Sequence, residues 1–246
     1  MTSQFLSAPR RVTRYLIIAA VALAVIAVAG LCMQTVLSHK TAAPAAAPAA
    51  GSSPGQATGI GSGGAVAAGP QKPLQLVAGT RYTIGVSTGY PQTLTGAVSA
   101  AVEFSSVVGS TLNPSTAAAV LGLVADPSYK NAATQAAQGT TASRAQMGIA
   151  VAGPVPQGAS ISFSPSDYQI RDYSQIEVTV LLLGDLTETT VSGGTQVRLA
   201  VVPVPLHWAE KDWKVLAPQG SADYSSLSAT PGTQQAASLG WQPLAF

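Results

Sequence analysis

The feature that most constrains this chain is an apolar run without a charged side chain, from Tyr15 to Ser38. As a helix, its 23 residues from Tyr15 to Leu37 would span about 35 Å, enough to cross a bilayer core of about 30 Å. Three arginines lie just before the run, whereas Lys40 is the one Lys or Arg soon after it. The positive-inside rule then predicts a cytoplasmic N-terminus at 1–14, a single transmembrane helix at 15–37 and an extracytoplasmic remainder.

Two other interpretations of this run stay open. Ala43, Ala45 and Ala47 form the small-residue pattern of a signal-peptide cleavage site, although the run is longer than the roughly 7–15 apolar residues of a signal peptide. Cys32 resembles the lipid-modified cysteine of a lipoprotein, but Leu31 stands where a small residue is usual. Because Cys32 is the single cysteine, the chain forms no intrachain disulfide.

A flexible linker is predicted at 38–74. Most of it consists of Ala, Pro, Gly and Ser, and residues 41–70 carry no charge. Such a segment buries too little apolar surface to offset the entropy of ordering it. As a coil of about 34 residues it would reach roughly 30–35 Å, which suits a tether between a membrane and a folded domain.

Charge and residue usage exclude several classes of function. Charged residues make up 9% of the chain, and residues 75–246 carry seven cations and ten acids. An acidic globular part argues against a direct nucleic-acid binder, which needs a basic surface. One cysteine and two histidines argue against a metal centre, and no sequence motif indicates a cofactor or a catalytic group. The prediction is a protein that is not an enzyme.

Residues 75–218 are predicted to form an extracytoplasmic α+β domain. A short strand near 81–87 precedes three helices, whose starts are marked by Thr93 or Thr95, by Asn113-Pro114 and by Asp126-Pro127. The third helix is expected to fray near Gly139, with a polar loop to Arg144. Strands joined by short turns follow, which favours helices wrapped by a curved, cone-like antiparallel sheet.

The strand predictions rest on alternating apolar residues. They place strands near 159–163, 174–183 and 197–201, with a turn at Gly193-Gly194. Pro203 and Pro205 predict that the third of these strands reaches an edge or a bend. A four-residue hairpin loop is expected at 209–212. The polar residues 219–246 predict a loosely ordered C-terminal tail, in which Trp241, Leu244 and Phe246 are the residues expected to dock.

Five residues stand out as candidate site residues. Trp208 and Trp213 form a possible interface, since Trp is favoured at binding hot spots, although cross-strand packing is the simpler interpretation. Asp167, Tyr168 and His207 are the candidates for a small pocket. Solvated turn residues are the simpler interpretation of Asp167 and Tyr168, and a strand histidine that of His207.

Two stretches carry a resemblance to a known group of proteins. They are Gly89-Tyr90-Pro91-Gln92-Thr93 followed by Gly96-Ala97-Val98-Ser99-Ala100-Ala101, and Leu206-His207-Trp208 with Asp212-Trp213-Lys214-Val215-Leu216-Ala217-Pro218. Together with the anchor and linker, they resemble membrane-anchored conjugal-transfer proteins of high-GC Gram-positive bacteria. The domain of that group is similar to the nuclear-transport-factor-two-like fold of a type IV secretion assembly factor.

The resemblance implies a structural or assembly component of a conjugative DNA-transfer or type IV secretion-like channel. Its partners would be other membrane or channel subunits and possible further copies of itself, with the membrane contacted through Tyr15–Leu37. It implies no catalytic residues. The alternatives are a surface-tethered small-ligand-binding module and an accessory subunit of an import complex.

Overall fold

The computed structural model describes residues 72–220 and 222–246. These residues form a mixed α+β domain with a curled half-barrel sheet. The predicted transmembrane helix and most of the predicted linker lie outside the described residues. Within the described residues, no helix combines the length and the apolar character needed to span a bilayer.

The helices and strands of the described part follow in this order along the chain. They are β1 (Leu74–Gln75), β2 (Arg81–Thr83), β3 (Val86–Thr88), α1 (Leu94–Gly109), α2 (Pro114–Val124), α3 (Ala132–Gln146), β4 (Ser160–Arg171), β5 (Glu177–Thr189), β6 (Thr195–Ala209), β7 (Asp212–Val215), α4 (Gln234–Ser238) and β8 (Gln242–Ala245), with a 3-10 turn at Ser225–Leu227 before α4.

Six strands form the main sheet in the order β1-β8-β4-β5-β6-β7, and β2 and β3 form a separate two-stranded ribbon. All pairings are antiparallel except that of β1 with β8. The long strands β4, β5 and β6 follow one another through short connections, as the sequence predicts. Helices grouped before an antiparallel sheet confirm the α+β class.

The first two helix starts are confirmed with their caps. The Thr93 hydroxyl accepts a hydrogen bond from the Gly96 amide at 3.0 Å, so Thr93 rather than Thr95 begins α1. The Asn113 side chain accepts hydrogen bonds from the amides of Ser115 and Thr116, and Pro114 occupies the first turn of α2. Both caps satisfy amides that have no partner within the helix.

The third helix start is wrong. Asp126-Pro127 lies in the connection between α2 and α3, because the Asp126 carboxylate is engaged by Ser128 and by a residue of β6. Helix α3 begins at Ala132 and continues through the segment 139–144 that was predicted as a loop. Its alanines favour the helix, and the burial of Arg144 holds its last turn in place.

Two tight turns differ from the sequence predictions. The expected strand at 81–87 is a hairpin, with Ile84 and Gly85 as its two-residue turn. The expected four-residue loop after β6 is also a two-residue turn, with Glu210 and Lys211 at φ values of 54° and 63°. Two consecutive residues with positive φ define the tight turn whose twist matches that of the flanking strands.

Both faces of the central strand β5 are buried. Val178, Val180 and Leu182 belong to the core on the helix side, whereas Leu181 and Leu183 belong to a second core on the opposite face. Alternate strand residues point to opposite faces, so a continuous apolar run here indicates a sheet covered on both sides.

The second face is covered by the C-terminal segment 219–246, which differs from the loosely ordered tail expected there. Trp241 is 1% exposed and packs in the second core, and its indole N–H donates to the Leu227 carbonyl at 2.7 Å. Leu244 is buried on the helix side as part of β8, whereas Phe246 is 85% exposed. Two of the three expected docking residues therefore do dock.

Candidate functional site

A histidine–carboxylate pair joins the helical part of the domain to the sheet. The His207 ring, on β6, lies with Nδ1 2.8 Å from the Asp126 Oδ2 atom. The other Asp126 oxygen accepts hydrogen bonds from the Ser128 amide and hydroxyl, at 2.8 and 2.6 Å. The Asp126 side chain is 7% exposed and that of His207 is 30% exposed. The pair therefore presents a half-exposed imidazole that is oriented by a buried carboxylate.

The surroundings of Asp126 keep it ionised. Burial acts to raise its pKa, but the hydrogen bonds from His207 and Ser128 outweigh burial, and the pKa of Asp126 lies below its ordinary value. A carboxylate held in this way favours an N–H on the facing ring nitrogen. The arrangement resembles the orienting half of a general base, and it can exchange a proton or donate a hydrogen bond to a small polar molecule.

Two further charged residues lie on β7 beside this pair. Lys214 stands directly opposite His207 in the β6–β7 register, and its Nζ atom lies 3.4 Å from the Leu123 carbonyl. Asp212 is completely buried, and its Oδ1 atom accepts hydrogen bonds from the amides of Tyr90 and Trp213. Its Oδ2 atom has no hydrogen-bond partner among the described residues and lies 3.7 Å from Lys214 Nζ.

Tyr90 connects this edge of the sheet to α1. Burial, and then the negative charge of Glu103, raise the pKa of Tyr90 well above its ordinary value, so the phenol stays neutral. Glu103 is half-buried, because its Oε1 atom accepts a hydrogen bond from the Ser87 amide at 2.9 Å. The Glu103 carboxylate thus fastens β3 to α1.

The two tryptophans pack against each other across the β6–β7 pair. Trp208 and Trp213 stand opposite in register, with ring centroids 5.4 Å apart at 67°. Trp213 is 1% exposed, and its indole N–H donates to the Pro91 carbonyl at 2.9 Å. Trp213 is therefore part of the core, and only Trp208 retains a partly exposed surface for the predicted interface.

The three predicted pocket residues do not share one site. Tyr168 on β4 pairs with Leu182 on β5, and Leu182 pairs with Val202 on β6. His207 lies five residues beyond Val202, so Tyr168 and His207 are separated by a distance on the order of 15–20 Å. Tyr168 donates at 2.7 Å to the side chain of Gln242, its register partner on the neighbouring strand β8. Asp167 is 4% exposed, and burial raises its pKa. Neither residue of β4 is the solvated turn residue that the sequence suggested.

The buried guanidinium of Arg144 is not among the residues that the sequence patterns single out. Arg144 is 1% exposed, and its nitrogens donate to five backbone carbonyls rather than to a carboxylate. The acceptors are the carbonyls of Leu112, Ala150, Ala152, Gly153 and Pro154. Four of these bonds fasten the connection between α3 and β4, and the bond to Leu112 links the end of α3 to the connection between α1 and α2. A single arginine in an otherwise uncharged helix was the available signal.

One side of β6 is the open edge of the sheet among the described residues. Strand β5 pairs with β6 along its whole length, whereas β7 pairs only with Leu206–Ala209. The stretch from Thr195 to Val204 therefore has a strand on one side only. An edge of this kind offers unpaired N–H and C=O groups to a further strand.

The prolines of β6 identify the backbone groups that face this edge. A proline lacks an N–H, so Pro203 and Pro205 occupy the positions whose backbone points away from β5. The Pro205 carbonyl accordingly accepts from the Leu216 amide on the β7 side. This confirms the edge that the two prolines predict. By alternation, the groups that face the open edge belong to Val197, Leu199 and Val201.

Within the described residues, no group of three or more His, Cys, Asp or Glu side chains is arranged to hold a metal ion. Residues 37–238 match the family described as "Domain of unknown function (DUF8175)". The chain belongs to this family. Neither a curated protein nor a solved structure gives a significant match. The DUF8175 match covers α1 to α4 and ends before β8.

Proposed function

We propose that this chain is a bitopic membrane protein that acts through protein–protein contacts, as a structural or assembly component of a conjugative DNA-transfer or type IV secretion-like channel. The predicted anchor and linker support an extracytoplasmic position for the DUF8175 domain. The motifs at Gly89–Ala101 and Leu206–Pro218 support the link to conjugation and to a nuclear-transport-factor-two-like fold. The observation that carries the proposal is the open edge of β6.

An open edge binds a partner by strand addition. A segment of another subunit would lie alongside Thr195–Val204 and pair with the outward groups of Val197, Leu199 and Val201. Main-chain hydrogen bonds would supply affinity, and the side chains on the two faces of the edge would supply specificity. About nine residues of strand provide roughly 30 Å of contact.

The edge is long but bounded. Pro203 and Pro205 offer no N–H to an incoming strand, which restricts uncontrolled pairing at this end. Val197 is 58% exposed and is the most exposed of the three outward residues. The pairing stretch is therefore centred near Leu199 and ends before Pro203.

The first experiment is site-specific photocrosslinking of the full chain in its native membrane. A photoreactive residue at Val197 is expected to capture a channel subunit, and the same residue at Val191 serves as the control. Val191 is 54% exposed and lies in the neighbouring β5–β6 turn, so the two positions match in exposure. Equal capture from both positions, or capture from neither, would contradict strand addition at this edge.

Two substitutions separate loss of binding from loss of folding. With the photoreactive residue moved to Thr195, an exposed position at the start of β6, Val197→Pro removes an N–H that faces outward, so it is expected to abolish capture and leave the pairing with β5 intact. Val197→Lys places a charge on the edge, and Val191→Lys is its matched control. Folded Val197→Pro protein that still captures the partner at the wild-type level would refute the role of the edge.

The His207–Asp126 pair favours a second candidate, a surface-tethered small-ligand-binding module or an accessory subunit of an import complex. The half-exposed ring has one nitrogen fixed by Asp126 and no second hydrogen-bond partner among the described residues. Native mass spectrometry of the full chain extracted from its membrane tests this candidate. It predicts a bound small molecule in the wild type that is absent from His207→Phe.

A further inference from the structure

The β2–β3 hairpin has an unusual turn. Ile84 and Gly85 form its two central positions, with φ values of 48° and 85°. The hairpin is separate from the main sheet, and it is held to the domain by the buried side chains of Val86 and Thr88 and by the bond from Ser87 to α1. Its tip therefore projects from a firmly attached base.

Ile84 is a poor choice for this position if only folding is considered. A side chain in the left-handed conformation costs roughly 1–2 kcal/mol, and Asn, Asp or Gly normally occupy the first position of such turns. Burial does not offset this cost, because Ile84 is 52% exposed. Tyr82, two residues earlier, is 73% exposed. The hairpin thus presents an apolar and an aromatic side chain that the fold itself does not use.

The charged residues nearest to the tip along the chain are all positive. Arg81 and Lys72 are the nearest cations, and residues 1–102 contain six cations and no acid. The first acid is Glu103, whose Oε1 atom is engaged by the Ser87 amide at the base of the hairpin. An exposed isoleucine, an exposed tyrosine and a flanking arginine are the combination that anchors a segment at a membrane interface. Each basic residue near an anionic surface adds roughly 1 kcal/mol of attraction.

The position of the hairpin in the chain places it within reach of a bilayer. The predicted span ends at Leu37, and the described domain begins at Lys72, so the predicted linker reaches roughly 30–35 Å. We infer that the tip of the β2–β3 hairpin inserts Ile84 and Tyr82 into the surface of the anionic membrane to which the chain is tethered. This inference rests on the membrane anchoring in the proposed function.

The test uses the full chain in nanodiscs. Cys32→Ser removes the native thiol, and Thr83→Cys places an environment-sensitive fluorophore beside Ile84 at an exposed position. Val191→Cys carries the same fluorophore as the control, because it is an exposed position in the turn of a different hairpin, β5–β6. One set of discs contains only phosphatidylcholine, and the other contains equal parts of phosphatidylcholine and phosphatidylglycerol.

Insertion predicts a blue-shifted emission at position 83 and roughly a two-fold lower quenching by acrylamide in the anionic discs. Ile84→Asn, which suits the turn better, is expected to restore quenching without unfolding the hairpin. Arg81→Gln is expected to reduce the dependence on phosphatidylglycerol. Equal quenching at positions 83 and 191 in anionic discs would overturn the inference, as would protection that depends on protein density, which indicates contact with a second copy.

Alkaline extraction of native membranes distinguishes failure of the membrane anchor from failure of hairpin insertion. Release of the chain into the soluble fraction would refute the anchor and the proposed function with it. Retention of the chain, combined with a water-exposed label at position 83, would refute only the insertion of the hairpin.

Discussion

The two faces of β5 are equally well buried, but they are covered by very different segments. On one face, Val178, Val180 and Leu182 pack against α1, a helix with a capped start and regular apolar spacing. On the other face, Leu181 and Leu183 pack beneath the C-terminal segment, which is rich in Ser, Thr and Gln. The sequence of α1 shows by its apolar spacing that this helix covers a sheet, whereas the sequence of the C-terminal segment does not.

The difference shows how few residues suffice to hold a polar segment on a sheet. Trp241 is the largest fully buried side chain of the segment, and its N–H is satisfied by Leu227 within the same segment. The Gln169 side chain donates to the Leu239 carbonyl at 3.0 Å and so adds a direct link from β4 to the tail. We therefore expect the helix face to unfold with the whole domain and the tail face to open separately.

The largest expected effect is that of Trp213→Ala on the helix face. Removal of a fully buried indole leaves a cavity, and the loss in free energy of unfolding is expected to be about 3–5 kcal/mol. Urea unfolding followed by circular dichroism measures it, with Trp213→Phe as the control that keeps most of the volume. A loss below that of an ordinary surface substitution would contradict the central place of Trp213 in this core.

Trp241→Ala should affect the tail face alone. Its local cost is expected to be about 3 kcal/mol, but the opened segment is solvated, so the rest of the domain remains folded. Hydrogen exchange should show protection lost in 222–246 and retained in α1. Loss of protection in both regions at once would show that the two faces form one cooperative unit.

Two buried carboxylates, Asp126 and Asp167, predict that the two faces differ in how their stability depends on pH. Asp126, on the helix side, has a lowered pKa, so its contribution to stability is complete above the ordinary pKa of about 3.9 and is lost as the pH falls through the lowered value. Asp126→Asn exchanges charge-assisted hydrogen bonds for neutral ones, and we expect a loss of about 1 kcal/mol at neutral pH. The difference from wild type should shrink in acid.

Asp167, beneath the tail, should behave in the opposite way. Burial raises its pKa, so its ionisation lowers the stability of the folded state as the pH rises from about 3.9 through the raised value. Asp167→Asn should therefore stabilise the protein at neutral pH and be neutral in acid. Thermal unfolding across this range measures both variants, and the gain should diminish in the Trp241→Ala background. Destabilisation by both substitutions at neutral pH would contradict the contrast.

The smallest effect is expected at the hairpin that packs on the helix face. Ile84→Asn relieves a strained left-handed isoleucine and should raise the free energy of unfolding by about 1 kcal/mol. Gly85→Ala is the converse control, since Gly85 also has a positive φ and the substitution should destabilise the turn. A neutral or destabilising Ile84→Asn would mean that Ile84 makes a compensating contact within the fold.

Local signals were sufficient for much of the fold. Thr93 and Asn113 mark helix starts because their side chains satisfy the first amides of the helices that follow them. Pro203 and Pro205 mark the open edge because a missing N–H is tolerated only there. Asp126-Pro127 carries the same local signal as Asn113-Pro114 but is used differently, since its carboxylate is taken by His207, 81 residues away.

The sequence by itself determined the α+β class, the first two helix starts, the antiparallel pairing of the long strands and the edge in β6, because each depends on neighbouring residues. It also carries the charge-free run at 15–37 on which the membrane prediction rests. Only the tertiary structure decided that Asp126 faces His207, that Asp167 and His207 lie apart, that five carbonyls surround Arg144, and that a polar tail covers the second face of β5. Those features depend on contacts between distant segments, and local patterns do not specify which segments meet.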